Sequence, residues 1–443
     1  MSIFSRLVPF ELSDLDANCR QVQTLLSDLG IACLHQGQPG DEHPARSWAD
    51  SGLMYLVGDE GSAPAVCPVT LASRADACLA VFRRIAGTDA LPGTRGSQLL
   101  SERAAITGSR RRGAVSPGGS CRLLPSADGR IGLNLARPED WELVPAWLQD
   151  HGVADWHSIA DRLTTRESQH LVQRGRLLGL AVADATGIPT EKTPWFELRH
   201  EAGPAPARRP APRVLDLSSL WAGPLCSRLW QQAGAEVIKI ESTTRPDGAR
   251  SGSPRFFDLL NHGKRELALE LHTPEGRRAL LDLMQQADIV LEGSRPRALR
   301  QMGIIAEDLL DANPGLSWIS ITGYGRGQPQ ENWIAYGDDA GIAAGLSAIL
   351  HQATGNWWIC GDAIADPLTG LHAALAGWAS WLAGGGHLIE LSLEQTVRHC
   401  ITAAPPRDND YRERQARWMR YLQDNRIEPR APLPGSEAEP SAP

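Results

Sequence analysis

VLDLSSLWAGPLCSRLWQQAGAEVIKI, residues 214–240, reads as strand, loop, helix, strand. Val214 to Leu217 is an apolar run of strand length, Pro224 to Ala233 is a helix opened by proline, and Glu236 to Ile240 is a second apolar run. The alternation continues outward. Thr273-Pro274-Glu275 opens a helix to about Gln286, Asp288 to Glu292 is a third strand, and Leu316 to Ile321 a fourth. Pro296 to Met302 and Ile305 to Ala312 are short helices between the last two. Short apolar strands separated by helices predict an α/β fold, a parallel sheet covered on both faces. Ligands of such sheets bind beyond the carboxyl ends of the strands. That edge would hold the loops Ser218–Gly223, Glu292–Arg297 and Thr322–Gly327. No GxGxxG follows the first strand, so a nicotinamide or flavin dinucleotide is not indicated.

The flanks are less regular. Asp76 to Ile85 reads as a helix. Cys121 to Leu124 and Ile131 to Leu135 read as a β-hairpin turning at Asp128-Gly129. With helices at 139–148 and 156–163 this makes a small α+β unit. Gly203 to Arg213 (GPAPARRPAPR) has no apolar period and reads as a linker. Beyond Ala404 lies a tail, with a charged helix-like piece at 410–424 and a Pro-rich end at 432–443.

Composition narrows the function classes. The 443 residues carry a net charge of −8 and are 42% hydrophobic. That gives no general nucleic-acid footprint, though it allows a local basic pocket. The eight cysteines form no CxxC pair and no zinc-spaced set with histidine, so no metal site is expected. The first 29 residues mix apolar with charged residues, unlike a signal peptide. The most apolar long stretch, 371–386, is too short to span a bilayer. These readings predict a cytoplasmic protein without membrane contact.

One stretch carries candidate chemistry: Ala365-Asp366-Pro367-Leu368-Thr369-Gly370-Leu371-His372. Asp before Pro is a helix-start signal, and a carboxylate there faces the positive end of the helix dipole. Asp366 is therefore expected to be ionised at neutral pH, as an inert cap or as a nucleophile. Asp362, four residues earlier, is the rival carboxylate.

Seven segments together resemble the family III coenzyme A transferases. In order they are VLDLSSLWAGP (214–224), GAEVIKIE (234–241), FFDLLNHGKRELALELHTPEGR (256–277), ADIVLEGSRP (287–296), the NPGLSWISITGYG run (313–325), DPLTGLHAAL (366–375) and GGGHLIELSLEQ (384–395). The resemblance implies a Rossmann-like large domain, a small α+β domain and an interlocked homodimer. Its order is unusual, because 51–58 and 93–105 resemble the later part of the large domain placed before its first strand. The domain reading is therefore a degenerate large-domain segment at 1–110, a small α+β domain at 111–202, a linker at 203–213, a CoA-binding and catalytic domain at 214–403 and a tail at 404–443. In the first, degenerate copy Leu71 stands where the family has its catalytic Asp, and a leucine cannot attack a thioester.

The resemblance implies Asp366 as nucleophile. It would attack an acyl-CoA to give an anhydride, then an aspartyl-CoA thioester from which a carboxylate acceptor collects the CoA. No cofactor would be held permanently. Implied CoA contacts are Ser219, Trp221 and Ala222; Leu269 and His272; Gly293, Ser294 and Met302; and Thr322 and Gly323. Some members carry basic or amide side chains where this chain has Ser242, Gln301 and Thr322, which leaves Lys239, Lys264, Arg265 or Arg300 as alternative phosphate partners. No arginine stands out as a dicarboxylate clamp. Two other functions compete: racemisation or isomerisation of a 2-methylacyl-CoA, and CoA-thioester binding without turnover. Relatives that racemise use a His where this chain runs Ala335-Tyr336-Gly337-Asp338-Asp339.

Overall fold

The alternation read from 214 onward folds as one sheet in the computed structural model, which describes residues 10–11, 19–34, 41–153, 155–202, 209–407 and 410–434. Its strands, in chain order, are β1 (Phe10–Glu11), β2 (Cys33–Leu34), β3 (Cys121–Pro125), β4 (Arg130–Asn134), β5 (Ala181–Asp184), β6 (Glu197–Glu201), β7 (Arg213–Leu217), β8 (Glu236–Ser242), β9 (Arg265–Leu269), β10 (Ile289–Glu292), β11 (Ser317–Thr322) and β12 (His387–Ser392). The large sheet has the order β6-β12-β11-β10-β7-β8-β9 and is parallel except for β6. The fold is α/β, a mostly parallel seven-stranded sheet covered by helices, with a small antiparallel sheet beside it.

Burial explains the central strands. Every residue of β10, β11 and β12 is buried, as expected of strands covered on both faces. One cover packs Leu280, Met284, Leu299 and Leu310 on Leu215, Val290 and Trp318. The other brings helices 222–232 and 365–383 onto Val214, Ile289 and Ile319. These two helices approach closely. A Cβ on Gly370 would lie 2.5 Å from the Ala222 carbonyl oxygen, and one on Gly377 2.3 Å from the Trp230 ring. The Trp230 indole N–H then reaches the Ala374 carbonyl at 2.8 Å.

The edges are where the structure adds elements. β9 (RELAL) and β6 (ELRHE) have no buried apolar run, because each is an edge strand. β6 is also the antiparallel member, with a bulge opposite Leu388/Ile389. The Asp128-Gly129 hairpin forms as expected, and β5 adds a third strand to it. Helices 138–148, 156–163 and 168–178 cover one face of this small sheet. On the other face Cys121, Leu123, Ala183 and Ala185 pack against Ile342 and Ile359. The small sheet is thus seated on the 337–343 helix of the same chain.

The N-terminal helices join the large core. Helix 71–86 begins five residues before the expected start, at Leu71, and packs on helix 365–383, as Phe82 on Trp378 shows (ring centroids 5.9 Å). The tail expected from 404 begins as a docked helix: Tyr411, Trp418 and Leu422 of helix 411–424 are buried in this core. Its apolar spacing gives it a face to bury, despite its charge. The linker residues 203–208 and the tail end 435–443 lie outside the described residues. All eight cysteines are free, with only Cys33 less than fully buried. Among the described residues no helix is long and apolar enough to cross a membrane, and no His/Cys/Asp/Glu group could hold a metal ion.

Candidate functional site

Helix 365–383 begins one residue before Asp366, with Ile364 in the cap position. Asp366 is therefore not the cap. Its own N–H donates to the Ala363 carbonyl at 3.0 Å, and its carboxylate lies against Gly337. A Cβ on Gly337 would sit 2.3 Å from Asp366 Oδ2, so only glycine allows this approach.

Three more carboxylates surround it. Asp338 Oδ1 accepts the Ala363 N–H at 2.7 Å. Asp339 Oδ1 accepts from the Tyr336 N–H at 2.9 Å and from Asn134 Nδ2, at the end of β4, at 3.1 Å. Asp362 is 1% exposed, and both its oxygens are taken by Arg103 in a bidentate pair, with Nε to Oδ2 at 2.8 Å. The Arg103 guanidinium also lies over the Trp221 ring, 5.0 Å from its centroid. The turn between Asp362 and Asp366 is strained, since Ala363 holds φ at 46°. A non-glycine residue there costs about 1–2 kcal/mol, and the Asp338 and Asp366 contacts hold it in place.

One guanidinium does not balance four carboxylates. Burial raises the pKa of Asp366 to about 7; Arg103 and the Gly337 N–H pull it down, while Asp338 and Asp362 push it up. Burial, with the charge of Asp362, raises Asp338 to about 6, and burial raises Asp339 to about 7. This corrects the expectation that the helix dipole keeps Asp366 fully ionised. Desolvation and like charge outweigh the dipole, and at neutral pH the group is poised between its two forms.

The residues expected to contact CoA follow the carboxyl ends of β7, β9, β10 and β11, and so share one edge of the sheet. Four strand spacings separate β11 from β9, roughly 19 Å. Ser219, His272 and Gly293 are exposed there; Leu269, Ser294, Met302 and Gly323 are half-buried; Ala222 and Thr322 are buried. Trp221 is different. Its ring is 1% exposed, packed edge-on against Phe256 and beneath Arg103, so it is core and offers no face to an adenine. The solvent-facing member of that loop is Leu220, 40% exposed and at φ 69°, with its N–H on Asp247 at 2.9 Å.

Two proposed phosphate partners are also corrected. Lys239 is buried on Asp247 at 2.8 Å and the Ser218 carbonyl at 3.1 Å. Lys264 is buried on Asp216, Ser227, Asn261 and the Pro224 carbonyl. Neither can reach a ligand. Arg300 is paired with Glu331 at 2.7 Å, and Arg265 is exposed. Arg103, Asp338, Asp339 and Asn134 were not identified from the sequence. The one available signal was the Asp338-Asp339 pair after Gly337, read there only as a missing histidine.

The CoA-transferase family III profile matches residues 212–417. The succinate–glutarate CoA-transferase of Agrobacterium fabrum is 29% identical over 220 residues, 44% of this chain and 55% of that protein. A succinyl-CoA–D-citramalate CoA-transferase of Chloroflexus aurantiacus is 30% identical over 196 residues, 42% and 49%. A formyl-CoA:oxalate CoA-transferase of Rhodopseudomonas palustris is 34% identical over 170 residues, 37% and 40%. The chain spans about half the length of the curated relatives it matches. A CaiB/BaiF family protein from Brucella suis has a solved structure that superimposes with a TM-score of 0.40 at 27% identity, covering 49% of this chain and 58% of the other. Residues 212–417 of this chain are thus similar to CoA-transferase family III.

Proposed function

We propose that the chain transfers coenzyme A from an acyl-CoA thioester to a carboxylic acid, with Asp366 as the nucleophile. The observation that carries this is the division of labour between two neighbouring carboxylates. Arg103 occupies both oxygens of Asp362, while among the described residues Asp366 forms no ion pair and is partly open to solvent. In this reading Asp366 attacks the thioester carbonyl, the C–S bond breaks and CoA leaves as thiolate. The thiolate then attacks the Asp366 carbonyl carbon of the anhydride and releases the first acid as its carboxylate. The incoming carboxylate attacks the resulting aspartyl-CoA thioester, and the returning thiolate takes the new acyl group and frees Asp366. Covalent catalysis of this kind needs an ionised carboxylate, which a pKa near 7 leaves available at neutral pH. CoA is a substrate here, and no resident cofactor is invoked. The chain is taken to work in the cytoplasm, consistent with its free thiols, and as a homodimer, which sedimentation would measure.

The test is trapping. With an acyl-CoA and hydroxylamine, Asp366 should be converted to its hydroxamate, detectable by peptide mass. Asp366→Asn should stay folded and bind CoA while exchange falls by about three orders of magnitude or more. A folded Asp366→Asn variant exchanging at the wild-type rate would remove the assignment, and CoA binding without any trapped adduct would leave a binder without turnover. A second reading, racemisation of a 2-methylacyl-CoA, is favoured by Asp338. Its pKa near 6 supplies a titratable base where the sequence offers no histidine. Deuterium entering the α-carbon of the acyl-CoA from solvent, and lost in Asp338→Asn, would select it.

A further inference from the structure

A second group of polar side chains, unused by the mechanism above, lies in the core where helix 71–86 meets helices 19–29, 365–383 and 393–402. Trp195 and His372 pack edge-on with ring centroids 5.2 Å apart, and the His399 ring follows at 6.3 Å from His372. His399 Nε2 lies 3.8 Å from Asp28 Oδ2, too far for a hydrogen bond. Arg74 completes the group from the first turn of helix 71–86. Its N–H donates to the Thr70 carbonyl at 2.9 Å, and the Thr70 hydroxyl donates to the Cys400 carbonyl at 2.9 Å. A helical side chain leans back over the turn before it, so the Arg74 guanidinium lies over that Thr70 contact, beside His399.

Arg74, His372 and His399 are fully buried, yet their polar atoms are unmet. Among the described residues Arg74 Nε, Nη1 and Nη2, His372 Nε2, His399 Nε2 and Asp28 Oδ2 have no hydrogen-bond partner. The sense of each atom is fixed. His372 Nδ1 donates to the Leu368 carbonyl at 2.7 Å and His399 Nδ1 to the Thr193 carbonyl at 2.8 Å. A carbonyl only accepts, so each ring carries its proton on Nδ1 and leaves Nε2 a bare acceptor. Burial, with the charge of Arg74, lowers the pKa of His372 to about 4 and of His399 to about 2, which keeps both rings neutral. Arg74 offers donors only. The charges do not balance either, because Asp28 supplies the acid of the group and shares it with Lys192 at 3.8 Å. A guanidinium buried without a full counter-charge is costly, and it cannot lose its proton to escape.

Water would meet these hydrogen bonds but not the charge, and a metal ion would be repelled by Arg74. An anion that still carries a proton meets both demands: oxygens for the guanidinium fork and an O–H for an imidazole. We propose that Arg74, His372, His399 and Asp28 enclose a site for a small oxyanion that keeps a proton, of the bicarbonate or hydrogen-phosphate class. Two of its oxygens take the Arg74 fork, and its O–H donates to a histidine Nε2. The Asp28 and Lys192 side chains, 20% and 67% exposed, mark the side from which it enters. The site does not depend on the CoA-transfer reading.

The full chain, labelled with ¹⁵N in its imidazoles, is titrated with sodium bicarbonate and separately with sodium phosphate, at fixed pH and at an ionic strength held with sodium chloride. At least one anion should shift the Nε2 resonance of His372 or His399 in a saturable way, the two signals being assigned with His372→Gln and His399→Gln. Saturation by bicarbonate alone, or by phosphate alone, names the member of the class. Arg74→Met should raise the Kd by roughly tenfold or more. If Arg74→Met fails to fold, the wild-type titration still decides, since it needs no change at Arg74. Nε2 signals that stay unmoved by both anions mean that water fills the space and overturn the proposal, as does a folded Arg74→Met that binds with the wild-type Kd. Asp366→Asn should titrate as wild type does, so this site and the transfer mechanism are read separately.

Discussion

Asp216 and Asp339 are equally hidden from solvent, and their environments drive them in opposite directions. Asp216, on β7, sits among Lys264, Lys239 and the Ser218 and Ser227 hydroxyls. Burial favours its neutral form, but the two ammonium groups overcome burial and hold its pKa below the usual carboxylate value. The Asp338, Asp339, Asp362 and Asp366 cluster has Arg103 alone, and three of its members are raised to about 6 or 7. The balanced cluster ties β7 to its neighbours and keeps its carboxylate ionised at neutral pH, while burial brings Lys264 down to about 8. The unbalanced one stores carboxylates that change charge near neutrality, and it is the one beside the strained Ala363 turn. Counter-charge, not depth, separates the scaffold cluster from the candidate site.

The comparison predicts its largest effect in the balanced cluster. Lys264→Met removes the ammonium in contact with Asp216 and leaves it the Ser218 and Ser227 hydroxyls and the Lys239 charge, and urea unfolding should show a loss of about 3 kcal/mol. A near-neutral result would mean that the cluster does not hold the sheet. Arg103→Gln should act differently, because it removes the one cation from a cluster already short of positive charge. The pH inflection of Asp366, followed by NMR of its labelled carboxyl carbon, should move upward by on the order of one unit, and Arg103→Lys should recover part of it. An unmoved inflection would show that Arg103 only packs on Trp221.

The smallest effect concerns stability against pH. Asp339 has a folded pKa near 7 against an ordinary value of 3.8, so between those limits the native chain holds a proton that the unfolded chain has lost. Its contribution is full below the unfolded value and is lost as pH rises through 7. Wild-type stability should therefore decline from about pH 5 to pH 8, and Asp339→Asn should flatten that decline by on the order of 1 kcal/mol. A variant with the wild-type slope would place the titration elsewhere.

Much of this architecture is legible in the chain. Val214–Leu217, Glu236–Ile240 and Asp288–Glu292 announce a buried parallel sheet because strands covered on both faces must be continuously apolar. β6 and β9 escape that logic, since an edge strand of charged residues looks like a loop. Asp366, the proposed nucleophile, stood out in the sequence through its helix-start position and the DPLTG run. Arg103 was not, because an arginine in SERAA looks like any solvated helix charge until folding brings it to Asp362. The same holds for Lys239 and Lys264, whose burial no local pattern reveals. Asp338 and Asp339 could be seen as acids but not as perturbed ones, because the perturbation comes from packing by the small sheet.

The Arg103–Asp362 pair joins residues 259 positions apart. On a ribosome adding about 5–20 residues per second, the arginine waits on the order of ten to fifty seconds for its partner. Helix 71–86 waits longer still, with Leu79 and Phe82 bared until helix 365–383 emerges to cover them. The growing chain must therefore be shielded from aggregation over that interval, and its carboxylate cluster is complete only once Asp366 has followed Arg103 out of the ribosome.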